Sequence, residues 1–155
     1  MKHWLAALLL LVPVLPLAGA AGVNILTTKA PADQVYDRVY QAIEGAKFWV
    51  VFEADMGSRM DQLATEWGSD ANKNKLTFVK SMVFCNLSWT NQLANADPEL
   101  LGLCPLHLTI YARDGQTTIV WPRLSVMADG SAGEGAAQAL EPEVSAIIRS
   151  AVTPE

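Results

Sequence analysis

The pair Asp114-Gly115, set between two β-prone runs, is the feature that most narrows the folds open to this sequence. Leu106 to Tyr111 alternates large apolar with polar side chains, and Thr117 to Trp121 is rich in β-branched and aromatic residues. An Asp-Gly pair between such runs favours a tight turn whose twist matches two neighbouring antiparallel strands. A hairpin therefore lies late in the chain. What precedes it must supply strands that pair with it and helices that cover it.

Upstream, Val23 to Thr28 reads as a first strand stopped by Lys29-Ala30-Pro31. Val35, Val39, Ala42, Ile43 and Ala46 then recur at three and four, with Tyr36 and Tyr40 beside them, which predicts a helix from Ala32 to Glu44 ending at Gly45. The dense run Phe48 to Phe52 predicts a strand buried on both faces, left through Glu53 and Asp55, with Trp49 in the core. Ser58 and Asp61 have capping-box spacing, and Met60, Leu63, Ala64 and Trp67 continue as a short helix to Gly68, with Trp67 also assigned to the core. Polar residues 69–75 lead into a strand over Leu76 to Phe84, and Ser88 to Leu101 is helix-compatible with a break at Asp97-Pro98. After the hairpin, Ala128 to Gly135 reads as a small-residue loop. A closing helix from Ala136 to Val152 then buries Ala139, Leu140, Val144, Ile147 and Ile148. The class is α+β: a mainly antiparallel sheet with helices packed on one face.

The first 20 residues stand apart from this pattern. Lys2 precedes a leucine-rich run from Trp4 to Leu17, and Ala18-Gly19-Ala20 places small residues where a signal peptidase reads them. The run is short of the roughly 20 apolar residues that span a bilayer, and Pro13 and Pro16 interrupt it. The expectation is a signal peptide over 1–20, a single domain over 21–155, and export, to the periplasm if the source is a Gram-negative bacterium. A retained anchor is the alternative. All 16 acidic residues but only 10 of the 11 basic ones follow Ala20, a balance of 10 − 16 = −6. Without a basic cluster, nucleic acid and anionic membrane are poor partners.

Few side chains suggest chemistry. Cys85 and Cys104 are the two cysteines, and export would place them where thiols oxidise. A disulfide between them closes a loop of 18 residues, worth about 3 kcal/mol on the chain-entropy model, and is expected to be structural. The alternatives are two small buried hydrophobes or a reactive pair, and Cys-x-x-Cys is absent. His107 is the one histidine after the leader, which excludes arrangements needing two and argues against zinc hydrolysis. Cys104-Pro105-Leu106-His107 is similar to a blue-copper ligand loop but lacks the second histidine and following methionine. Non-covalent haem ligation by His107, Met56, Met60, Met82 or Met127 competes with the plainer reading of these methionines as core filler. Trp89 and Trp121 are candidates to line a pocket. No catalytic residue and no metal site is assigned, and no cofactor follows from the residues.

Over roughly Lys29 to Val152 the chain resembles the bacterial and archaeal "domain of unknown function 302" family. The resemblance rests on the helix followed by Gly45, Glu53-x-Asp55, Phe84-Cys85-Asn86, Asp97-Pro98, Gly102, Pro105-Leu106, Tyr111 and the hairpin. It implies a TBP-like strand-helix-four-strand-helix fold and a pocket near Asn86 and Pro105, and it implies no activity. The chain departs from the family where Asn-Pro becomes Asn86-Leu87, and where Leu-Pro-Cys or Leu-Pro-Leu becomes Cys104-Pro105-Leu106. The candidate ligand-binding residues are Asn86, Pro105 and His107. The leading functional reading is an exported, non-enzymatic domain that binds a small molecule or a protein partner. The alternative is a periplasmic protein that handles thiols, haem or metal in sulfur or redox metabolism through Cys85 and Cys104.

Overall fold

The Asp114-Gly115 turn forms as its sequence requires, with φ of 52° at Asp114 and 73° at Gly115. Two successive positive φ angles give the turn that suits a two-residue hairpin loop. The computed structural model describes residues 22–152; the signal-peptide assignment at 1–20 lies outside them. The hairpin strands are β4 (Leu106–Arg113) and β5 (Gln116–Pro122), joined by β1 (Val23–Thr28), β2 (Trp49–Asp55) and β3 (Phe78–Cys85). Every pairing is antiparallel, in the spatial order β1-β5-β4-β3-β2. The hairpin thus forms the middle of the sheet with β3, and β1 and β2 are its edges.

Alternation along each strand divides the sheet into two faces. Met82, Leu108, Ile110 and Ile119 are fully buried on one of them. Against this face pack α1 (Ala32–Gly45), through Val35, Val39 and Ile43, and α5 (Glu134–Val152), through Ala137, Leu140, Val144 and Ile148. Helical spacing supplies each stripe. Of the α5 residues expected to be buried, Leu140, Val144 and Ile148 are, Ile147 is partly buried, and Ala139 turns to solvent. α3 (Leu87–Ala96) contributes Leu93, and a following 3₁₀ helix (Pro98–Leu103) contributes Leu100 and Leu103. Asp97 caps that 3₁₀ helix by accepting from Glu99 N, which explains why the helix breaks at Asp97-Pro98. A short α4 (Leu124–Met127) follows β5. Gly133 then lies so close to Leu100 that a Cβ there would stand 2.3 Å from Leu100 Cδ1, so glycine is what lets α5 start against the 3₁₀ helix.

Two expectations fail at the β2 edge. Trp49, Val51 and Phe52 are 51%, 58% and 61% exposed, so the Phe48 to Phe52 run is not a strand buried on both faces. β2 has only β3 beside it, and its register shifts between Val50 and Phe52. A bulge of this kind is a common way of blunting an edge strand. Phe48 alone takes the core place, edge-to-face with Phe84. α2 (Met56–Trp67) starts three residues earlier than a helix capped by Ser58 would: Asp55, not Ser58, is the cap and accepts from Ser58 N at 2.9 Å. α2 lies against the other side of β3, where Ser81 Oγ reaches Met56 Sδ, and Trp67 stays partly exposed rather than entering the core.

Candidate functional site

One end of the sheet gathers the end of β3, the start of β4 and the end of β5. Here Trp121, Leu106, Leu103 and Val144 enclose a cavity of about 40 Å³, with Met127 and Glu141 also in its wall. At about 10–15 Å³ per water position, this is room for about three waters or one short alkyl or carbonyl group. Trp121 is 3% exposed and its indole Nε1–H has no hydrogen-bond partner among the described residues. A buried donor without an acceptor costs about 1–3 kcal/mol, so this atom marks where an acceptor would be favoured. Glu141 closes one side. Its carboxylate accepts from Ser125 N at 2.7 Å and Asn24 Nδ2 at 3.4 Å, and faces Arg123 Nε at 3.8 Å. Burial alone would push its carboxyl up, but these donors outweigh it and hold it below the usual carboxylate value.

Of the candidate residues, Pro105 and His107 belong to this wall and both are solvent-exposed at its rim. Asn86 does not reach it. Its side chain is the N-cap of α3, accepting from Trp89 N at 3.1 Å, and it donates through Nδ2 to the carbonyl of Lys47 at 3.1 Å. Lys47 holds a left-handed φ of 63°, so Asn86 ties down the strained link between α1 and β2. Trp121 is the tryptophan that lines the cavity, whereas Trp89 Nε1 donates to Glu143 at 3.1 Å.

A second corner lies beside Asn86. Cys85 and Cys104 are free thiols in this structure, so the expected bridge is not formed. The Thr90 hydroxyl is 3.3 Å from Cys85 Sγ and 3.7 Å from Cys104 Sγ, and it lies 3.0 Å from the Asn86 carbonyl. Burial is the main influence on the Cys104 thiol and pushes its pKa up, against a smaller opposing effect of the Thr90 hydroxyl. Among the described residues no group of three or more His, Cys, Asp or Glu side chains is gathered as if for a metal ion.

The model of the family described as "Domain of unknown function DUF302" matches residues 24–152. The chain belongs to this family. The DUF302 fold is also seen in the crystal structure of an uncharacterized conserved DUF302 protein from Bacillus stearothermophilus, which superposes with a TM-score of 0.73 at 13% identity. That match covers 86% of this chain and all of the other. No curated protein matches the chain. As a DUF302 domain it keeps the element order implied by resemblance, a strand, a helix, four strands and a closing helix, with short helices inserted.

Sequence reasoning missed Thr90 and Glu141. Thr90 stands four residues after Asn86, the spacing at which a first-turn hydroxyl reaches back to the cap carbonyl, so its place near Cys85 was open to inference. Glu141 is a lone acid beside the Leu140 and Val144 stripe. Only the tertiary approach of β1 and α4 shows its partners.

Proposed function

We propose that this DUF302 domain binds a small, mainly apolar molecule through one hydrogen-bond acceptor, and that it does so without chemical conversion. The observation that carries the reading is the orphaned Nε1–H of Trp121, a residue that lines a mainly apolar cavity whose charged member is Glu141. Binding sites of this kind combine apolar walls with a few polar groups that set orientation. Pro105 and His107 would form the mouth, and Glu141 would reject an anionic end group.

The probe pair for a test is 2-butanone and 2-methyl-1-butene, equal in shape and differing in the acceptor. In ¹⁵N-labelled protein, 2-butanone should move the Trp121 indole N–H resonance saturably and the alkene should not. Trp121→Phe, which keeps a ring and removes the donor, should weaken 2-butanone binding by about five- to twentyfold, the range expected for one buried hydrogen bond. Equal shifts by both probes, or no saturable shift with the ketone, rejects the reading.

We further infer that the domain acts outside the cytoplasm, an inference supported by the Lys2, Trp4 to Leu17 and Ala18-Gly19-Ala20 pattern. The secreted product should begin at Ala21, which intact mass measures directly. Recovery of exported protein that still carries residues 1–20 would reject cleavage and favour a retained anchor.

A further inference from the structure

The cavity leaves the corner at Cys85, Thr90 and Cys104 unused. The two sulfurs arrive from the end of β3 and the start of β4, and both approach one hydroxyl. That hydroxyl carries a single proton and has three acceptors within reach, of which the Asn86 carbonyl is the nearest at 3.0 Å. If it donates there, Cys85 S–H can donate to the Thr90 oxygen, and Cys104 is left without a strong partner. The two sulfurs therefore flank one hydroxyl that cannot satisfy both.

We propose that Cys85 and Cys104 form a two-sulfur site for a soft monovalent d¹⁰ cation, Cu(I) by class. Such an ion accepts two-coordinate thiolate ligation. Zn(II) usually wants four ligands, and the described residues gather no third histidine, cysteine or carboxylate here. Inward movement of both sulfurs, with the Thr90 hydroxyl turning aside, would bring them onto one ion. The step balances without any oxidant: two neutral thiols and one Cu(I) give a bis-thiolate Cu(I) complex, and two protons pass to solvent. Because the ion displaces protons, its affinity rises with pH. This site is separate from the Trp121 cavity, and neither reading depends on the other.

The experiment is an anaerobic titration of the fully reduced chain with Cu(I) held by the chromogenic chelator bicinchoninate. One Cu(I) per chain should leave the chelator, and both thiols should then resist iodoacetamide. While both thiols are protonated in the free protein, affinity should fall by about a hundredfold for each pH unit lost, tenfold per proton displaced. Cys85→Ser and Cys104→Ser should each lose at least a hundredfold in affinity, whereas Thr90→Val should retain the ion. Should a serine variant fail to fold by circular dichroism, protection of the parent's thiols by Cu(I) carries the test. The proposal is overturned if no Cu(I) leaves the chelator, if Cys85→Ser binds as the parent does, or if Zn(II) competes at equal concentration. Unchanged 2-butanone binding in the serine variants would show that the two sites fail or stand separately.

Discussion

Asn86 shows how one side chain fixes two elements at once. Its oxygen caps α3 and its amide nitrogen holds the Lys47 carbonyl in the left-handed link before β2. The residue stands half-buried at a helix start, with both its polar atoms satisfied by backbone groups. Its role is therefore structural in the first instance. Asn86→Ala removes both bonds and should lower stability by about 1–2 kcal/mol, the range for losing a good cap. Asn86→Asp keeps the cap oxygen and loses the donor to Lys47, so it should fall between parent and alanine variant. Urea denaturation of the three proteins decides the matter, and an alanine variant with the parent's midpoint would show that neither bond contributes.

At the scale of elements, patterns confined to a few neighbouring residues were legible and those set by sheet position were not. The hairpin was readable because Asp114-Gly115 specifies its own turn, and the break at Asp97-Pro98 because proline and an aspartate cap act locally. α1 and α5 were readable from apolar spacing, which needs no knowledge of what covers it. β2 was misread because its composition is that of a central strand, while strand order places it at the edge and a bulge turns Phe52 outward. Trp49 and Trp67 were misassigned for the same reason: a large aromatic side chain favours burial, but its element decides whether a covering layer exists. The cavity was half legible. Pro105, His107 and Trp121 were singled out, yet Glu141 comes from a helix whose approach no local pattern encodes.

Across the whole molecule, two titratable clamps hold opposite edges of the sheet to the helices, and they set opposite pH limits. At the β1 edge, Glu141 of α5 binds Asn24 and Ser125 and faces Arg123. Its carboxyl is held below the ordinary 4.5, so the clamp stabilises the fold above that value and weakens as pH falls through the lower folded-state value. At the β2 edge, the Tyr36 hydroxyl of α1 donates to Glu53 Oε2 at 2.5 Å, with Lys80 5.5 Å over its ring and Phe78 beside it. Burial first, and then the bond to Glu53 and that carboxylate's charge, push the phenol pKa well above its ordinary 10.0. The unfolded chain therefore releases this proton near pH 10 while the folded protein keeps it, and stability declines as pH rises beyond that point. Glu141→Gln should flatten the acid limb of a stability profile and leave the alkaline limb alone, and Tyr36→Phe should do the reverse. Denaturation midpoints at about pH 3.5, 7 and 10.5 for parent and both variants measure this, with the differences between proteins cancelling the titration of all other groups. If Tyr36→Phe lost as much stability as the parent between pH 7 and 10.5, the buried phenol would not be what limits the fold in alkali.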